Sequence, residues 1–484
     1  MSRIYEYDDL FFEKRKEVLS EWESGREVNI KEAFNYHNNL ADQKKASDVL
    51  REAREQNETL IQSLGSYASF QRQLAFYNKL ETSGEANFLT LSVDSFSQNK
   101  KHKRAKHDYE NELSHDRILL DGFPLVVHGV VGCRRLIENN QTPIQVRHEA
   151  TDARLMAEIA FASGLTDFLG GGVCNTVFNP QASNFEENMT CWEYVDFLVG
   201  YYEKNGIKIN REIFAPFSGA LIPPSLQLSL IIIDGLFAAV HGVRSITLAY
   251  NQCGNISQDV AAITVMKGLF CEYLDELGLN LDDFDISTSF HQWSGGFPED
   301  EAKSYSIITL GAMVAAFGNA TKVVIKTPNE SERMPDEDSF VNGLKATKHM
   351  LALAKTQRDS FFSDKVTVEQ DIIKESIRSI VDVVLGVNPY NYKSAVTMAF
   401  EEGIIDLPFS SLGQNLGLVM PVRDGDGAVR YYDCGKLPLP KDIISYNWDK
   451  ILNRGKKEER TPSYQMVIDD IYAAGKGLIK WEEG

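Results

Sequence analysis

Cysteine is sparse in this chain, and the six present (Cys133, Cys174, Cys191, Cys253, Cys271 and Cys434) include no Cys-x-x-Cys pair. That scatter reads as reduced thiols in a cytoplasmic protein. The nine histidines contain no His-Glu-x-x-His, and no Cys/His cluster has zinc spacing. A P-loop and a Gly-x-Ser-x-Gly elbow are missing too, so neither hydrolytic nor nucleotide-driven chemistry announces itself. Positive charge is in deficit, with 50 Lys and Arg against 69 Asp and Glu for a net charge of −19. Such acidity disfavours a nucleic-acid partner, whose binding rests on phosphate neutralisation. Apolar runs stay short of the roughly 20 residues a membrane span needs; the stretch 228–240, for example, is interrupted by Asp234. The opening MSRIYEYDDLFFEKRKE has no apolar core, so no secretory signal is expected. Hydrophobic residues at 43% and charged residues at 25% are globular values. At 484 residues, one large domain with extensions is expected, without a membrane.

What is present alternates. Residues 45–63 and 70–80 are charged or amphipathic at helical spacing, so the first 85 residues are expected to form a helical extension. From 86 onward short apolar runs recur: 86–93, 123–129, 143–148, 165–172, 207–214, 245–250, 284–290 and 322–327. Longer amphipathic segments, such as 152–164, 225–243 and 305–318, separate them. Strand and helix candidates in alternation call for a parallel sheet covered by helices, and eight units in about 250 residues is the size of a (β/α)8 barrel. The competing architecture is an open doubly wound sheet, for which no Gly-x-Gly-x-x-Gly loop follows an early strand. The expected fold class is therefore α/β: a (β/α)8 TIM-type barrel over 86–334, an N-terminal helical extension over 1–85 and a C-terminal α+β extension over 335–484 packed on the barrel. Within the last, 339–386 reads as two long helices, 417–433 as a hairpin around its Asp-Gly pairs, and 463–478 as a closing helix. The basic run 100–106 (KKHKRAK) reads as a solvated loop or, in competition, as an anion site.

Active sites of such barrels lie at the carboxyl ends of the strands. Those positions hold Asp94, Arg147 and His148, the triglycine 170–172, Arg211 and Glu212, Asn251 and Gln252, His291 and Gln292, and Lys326 and Thr327. Each also has a purely structural reading. Arg147 can pair with Asp152, His291 can be a satisfied core histidine, and Lys326 with Glu330 can be an ion pair at a helix start. The triglycine suits a tight turn as well as a ligand cradle. Local motifs alone define a barrel enzyme with a mixed-charge pocket.

Longer segments go further: NREIFAPFSGALIPPS (210–225), QCGNISQDVAA (252–262), FHQWSGGFPEDEAK (290–303), ATKVVIKTPNES (320–331), MPVRDGDGAVRY (420–431) and SYQMVIDDIYAAGKG (463–477). With WESGREVNIKEA (22–33) they resemble the large, epsilon subunit of glutamate mutase, also called methylaspartate mutase, over essentially the whole chain. The resemblance implies a (β/α)8 barrel and an isomerase that uses adenosylcobalamin. It further implies a heterotetramer built on a large-subunit homodimer, with a separate small subunit carrying the cobalamin through an Asp-x-His-x-x-Gly motif. That motif is missing from this sequence, so the implied partner is a second polypeptide. Homolysis of the cobalt–carbon bond, hydrogen abstraction from substrate and skeletal rearrangement need a cavity poor in water more than a nucleophile or metal triad.

The resemblance also assigns roles to matching positions. Lys326 and Glu330 stand where the family grips the adenosine ribose and form the implied catalytic pair. Phe297 matches an aromatic beside the cofactor, and Met334 a cofactor contact that is usually isoleucine. At other cofactor positions Ser66 replaces a glycine, Asp121 an asparagine and Phe178 a proline. Of three arginines that hold the two carboxylates of glutamate, Arg147 remains, followed by the matching His148. Leu64 and Gln98 stand at the other two arginine positions, Leu169 at the glutamate that holds the amino group, and Asn175 and Asn179 at two tyrosines. A hydrogen bond to a charged group contributes about 1.5–3 kcal/mol, and stranding a buried charge costs about 3–5 kcal/mol. The expectation is a mutase acting on a carboxylic acid other than L-glutamate, anchored by one carboxylate on Arg147. The alternatives are an inactive homologue that binds or regulates the cobalamin subunit, and a genuine glutamate mutase making 3-methylaspartate.

Overall fold

The computed structural model describes residues 9–115, 117–177, 179, 184–215, 221–329, 336–361, 363–388 and 391–480. Eight parallel strands form one sheet: β1 (Leu60–Gln62), β2 (Leu89–Ser92), β3 (Ile144–Arg147), β4 (Asp167–Leu169), β5 (Asn210–Phe214), β6 (Ser245–Asn251), β7 (Asp285–His291) and β8 (Lys322–Val324). β1 pairs with β8, and each strand then pairs with its sequence neighbour round to β2. A parallel bridge between Gln62 and Phe88, with the Phe88 N–H 3.2 Å from the Ile61 carbonyl, draws β1 towards β2 so that the barrel nearly closes. Every residue of β5 and β6 is buried, as parallel strands covered on both faces must be. The helix Pro224–Val240 is buried along almost its whole length and starts with proline in its first turn, where the missing N–H costs nothing.

Two strand expectations are corrected. The run 123–129 is not a strand. Phe123 makes one parallel bridge to Val93, and the chain then enters the helix Leu125–Glu138, which kinks at Gly129. Its apolar side chains face the core from the helix layer, where a short apolar run looks the same as a buried strand. The eighth strand is instead β1, inside the segment expected to be all helix. Asn57, left-handed at φ 54°, ends the helix Ala46–Gln56 three residues before it. Three residues are too few to display a period of two.

The boundaries at 86 and 334 therefore do not delimit the barrel. Its first strand lies at 60–62, and its last covering helix is Glu337–Lys355, whose Phe340 packs edge-on against Phe76 of the helix Phe70–Thr82 at 5.2 Å. Farther on, the long helix Asp364–Val387, the antiparallel hairpin of β9 (Val419–Arg423) and β10 (Val429–Cys434), and the helix Tyr464–Gly475 match expectation. Buried arginines bind the hairpin in place: Arg430 to Glu369 and to Asp424 at 2.8 Å, and Arg423 to the Cys253 carbonyl at 2.6 Å.

Most of the basic run is helix and not loop, with Lys101, Lys103 and Arg104 exposed to solvent. It leads into the helix His102–His115, with Lys100 paired to Glu21 and Asp152, and Lys106 to Glu23. All six cysteines are free thiols. Among the described residues no helix is long and apolar enough to cross a membrane.

Candidate active site

Alternation sends every second side chain of a barrel strand inward. On β5 the inward set includes Asn210 and Glu212, whereas Arg211 lies in the helix layer. There it meets Asp196 at 3.2 Å and donates to the Gly170 carbonyl at 2.7 Å. Inward residues from six strands form a hydrogen-bonded floor. Gln62 Nε2 donates to Thr90 Oγ1 at 2.7 Å and to Gln145 Oε1 at 2.8 Å. Gln145 Nε2 donates in turn to Asp167 at 3.0 Å and Glu212 at 3.1 Å, and Asn210 Nδ2 to Asp167 at 2.8 Å. The Lys322 ammonium sits 2.6 Å from Glu212 and 3.5 Å from Asp167, with all three side chains fully buried. Burial pushes the Asp167 carboxyl up, offset in part by Lys322. At Glu212 burial acts the same way, but the Lys322 ammonium and the His291 N–H prevail and hold the group well below the usual carboxylate range.

Above this floor the lining changes. Leu169, Phe214 and Ala249, at or near the carboxyl ends of β4, β5 and β6, form a small buried apolar cluster. The Arg147 guanidinium lies 5.0 Å from the centre of the Phe214 ring, and the His291 imidazole stacks on the same ring at 3.9 Å. His291 Nε2 is 2.8 Å from Glu212 Oε1, so the histidine stands directly on the charged floor. Burial, with help from Arg147 and Lys322, lowers its pKa to about 4 despite Glu212. A single guanidinium beside apolar surface and a neutral imidazole is an arrangement suited to one carboxylate on an otherwise uncharged small molecule.

Arg147 does not pair with Asp152, which is taken by Arg154 at 2.7 Å and Lys100 at 2.8 Å. The His148 ring points away from the barrel axis and stacks on Trp192 at 5.6 Å, with its pKa lowered to about 3 by burial and then by Arg211 and Arg147.

Four side chains from the expected substrate positions converge on the two residues that follow. Gln98 Oε1 accepts from the Glu149 N–H at 2.8 Å, and Asn179 Nδ2 donates to the Glu149 carbonyl at 3.1 Å. His148 Nδ1 accepts from the Ala150 N–H at 3.2 Å, and Asn175 Nδ2 donates to the Ala150 carbonyl at 3.3 Å. All four main-chain polar groups of Glu149 and Ala150 are thus met by side chains. Gln98 also donates to the Val93 carbonyl at 2.6 Å, which ties the β2 loop to the β3 loop.

The triglycine is a packed turn. A Cβ on Gly171 would lie 2.0 Å from Asp234 Oδ2, and one on Gly170 (φ +118°) 2.5 Å from Trp192. Asp234 accepts from the Val173 and Cys174 N–H groups at 3.2 and 2.9 Å.

Leu64 is buried in the core beyond β1. Ser66 is buried as well, its hydroxyl donating to the Thr90 carbonyl at 3.2 Å and accepting from the Ser92 N–H at 2.8 Å. Asp94 caps the short helix Ser95–Gln98, and burial raises its carboxyl to about 6. Asp121 accepts from the Ser95 N–H at 2.8 Å. Phe297 packs with Leu221, Trp293 and Ile308. Lys326 is half-buried just past β8, its N–H donating to Gln292 Oε1 at 3.0 Å. Phe178, Glu330 and Met334 lie outside the described residues.

Sequence reasoning missed Phe214 and Lys322. A register reading that alternated inward and outward positions would have found both, since Phe214 follows Glu212 by two and Lys322 precedes Lys326 by four. Two clefts elsewhere, one lined by Arg54, Asn57, Lys267 and Thr321 and one by Asn255, Glu369, Arg430 and Tyr446, contain none of Arg147, Leu169, Phe214 or His291.

The sequence profile of the family described as methylaspartate mutase E chain matches residues 40–480. The glutamate mutase epsilon subunit of Desulfitobacterium hafniense (strain Y51) is 42% identical over 469 residues, covering 97% of this chain and 96% of the relative. That of Treponema denticola is 38% identical over 471 residues, covering 97% and 96%. That of Escherichia coli O157:H7 is 38% identical over 472 residues, covering 97% of each.

Proposed function

The chain belongs to the methylaspartate mutase E chain family, a family of isomerases, and from that premise we propose that it is the large subunit of an adenosylcobalamin-dependent carbon-skeleton mutase acting on an acid other than L-glutamate. The observation that carries this reading is the lining around Arg147. Where an ammonium would require a carboxylate, Leu169 lies buried against Phe214 and Ala249. The amides of Gln98, Asn175 and Asn179 hold main chain. Arg147 clamps the single carboxylate in a bidentate pair, Phe214 and Leu169 pack the carbon skeleton, and the helix-covered barrel excludes water.

The partner in this proposal is a small subunit with an Asp-x-His-x-x-Gly motif, in an assembly of two large and two small chains. The described residues suit the cofactor's nucleoside. Lys326, half-buried at the carboxyl end of β8, offers an ammonium to ribose oxygens, and Phe297 offers a ring at the edge of an apolar cluster. Glu330 and Met334 are proposed to complete that grip, with Lys326 and Glu330 as the catalytic pair, and Ser66, Asp121 and Phe178 to border it. When bound, the cofactor supplies a carbon radical by homolysis of its cobalt–carbon bond.

The second reading, a genuine glutamate mutase, is favoured by the names of the relatives. Both readings are tested by reconstituting the full chain with the small subunit and adenosylcobalamin, then following radical formation by electron paramagnetic resonance. The proposal expects a signal with a monocarboxylic acid and negligible formation of 3-methylaspartate from L-glutamate. Glutamate turnover comparable with that on the best monocarboxylate restores the second reading, and no signal with any acid supports an inactive homologue.

A further inference from the structure

The charged floor is unexplained by carboxylate clamping. An ammonium and two carboxylates, fully buried together, are costly to desolvate, and well-packed apolar residues would serve stability as well. What the floor does is visible at its upper end. Glu212, ionised by its contact with Lys322, can only accept, so His291 Nε2 must carry the proton of the 2.8 Å hydrogen bond. The two nitrogens of an imidazole point in directions about 144° apart by ring geometry, so Nδ1 is turned away from Glu212 and from the floor. Nδ1 has no hydrogen-bond partner among the described residues. The ring cannot swivel freely, because it stacks on Phe214 at 3.9 Å, and Phe214 also carries the Arg147 guanidinium at 5.0 Å.

We propose that His291 is a specificity-determining residue of this site, its Nδ1 presented as an acceptor by the Lys322–Glu212 pair beneath it. It takes a hydrogen bond from a neutral donor, a hydroxyl or amide N–H, on the monocarboxylate that Arg147 clamps. This inference rests on the monocarboxylate reading and narrows it to acids bearing such a donor. Burial and two neighbouring cations keep the ring neutral, which preserves the Nδ1 lone pair. A second carboxylate or a bare methyl in that position would leave Nδ1 without a partner.

Two measurements on the full-length chain test it. The first needs no ligand: nitrogen-15 NMR of labelled histidine, with the His291 signal assigned by its loss in His291→Phe. A neutral Nε2–H tautomer between pH 5.5 and 8 is expected; an imidazolium or an Nδ1–H tautomer overturns the inference. The second is calorimetric binding of butanoate, 2-hydroxybutanoate and 3-hydroxybutanoate to wild type, His291→Phe and Arg147→Ala. One hydroxy acid should bind about tenfold more tightly than butanoate, the gain of one hydrogen bond. His291→Phe, which keeps a ring on Phe214, should erase that preference, bringing the hydroxy acid to within about twofold of butanoate in the same variant. No preference in wild type, or one that persists in His291→Phe, overturns the role of His291 while leaving the clamp intact. Butanoate affinity unchanged in Arg147→Ala refutes the clamp itself, and no binding of any of the three acids refutes both.

Discussion

Among single residues, the proposed function rests first on Arg147. Its guanidinium is planar, permanently charged and already oriented on Phe214. Arg147→Ala should weaken binding of a monocarboxylate roughly 10- to 100-fold, the equivalent of about 1.5–3 kcal/mol for a charge-assisted contact. Arg147→Lys should recover only part of this, since an ammonium lacks the fork; titration calorimetry on the two variants checks both statements. Lys322 makes the opposite kind of contribution. Removing it strands Glu212 and Asp167 in a dry interior, so Lys322→Met should destabilise the fold by about 3–5 kcal/mol. Lys322→Met combined with Glu212→Gln should recover part of that loss, because only one of the two stranded carboxylates remains. Denaturant unfolding that found the double variant no more stable than the single one would contradict this account of the floor.

At the scale of elements, the loop after β3 is held by other loops. Gln98 reaches it from the β2 loop, and Asn175 and Asn179 reach it from the segment after β4. Gln98→Ala and Asn175→Ala should therefore speed hydrogen exchange in a peptide covering 144–153 by about tenfold, with a global stability loss of about 1 kcal/mol per hydrogen bond. Unchanged exchange in both variants would show that the strand alone fixes the loop. The triglycine turn gives a sharper steric prediction. A methyl on Gly171 would overlap Asp234, which caps the short helix Gly172–Val177. Gly171→Ala should cost about 1–3 kcal/mol and lower the midpoint of thermal unfolding by several degrees.

Across the whole molecule, buried neutral histidines set the response to acid. His37, His102, His128 and His291 are lowered to about 4 and His148 to about 3, burial being the first cause at each. Between pH 6.5 and 4 the unfolded chain therefore binds protons that the folded chain refuses, and stability rises with pH through that window. Each fully buried histidine contributes about 1.4 kcal/mol per pH unit there. Glu212, depressed in the fold, acts in the same direction at lower pH, below the ordinary range of a free glutamate. Calorimetric scans at pH 7.5, 6 and 5 should show the transition falling steeply; a transition independent of pH over that range would contradict the neutral assignments.

Much of this architecture was legible in the chain. Seven of the eight strands showed as apolar runs because parallel strands buried on both faces must be apolar, and long segments such as those around Lys326 and Phe297 pointed to the family. The sequence by itself determined fold class and family, since these depend on residue identity along one strand or one motif, and it placed uncharged side chains at 64, 98 and 169. Only the tertiary structure decided the rest. β1 is too short to show a period, and the run at 123–129 could bury its side chains from a strand or a helix alike. Whether Gln98, Asn175 and Asn179 face a ligand or hold main chain depends on loops brought together from three strands. The chain from Lys322 through Glu212 to His291 joins β8, β5 and β7, residues far apart in sequence, through distances that no local pattern encodes.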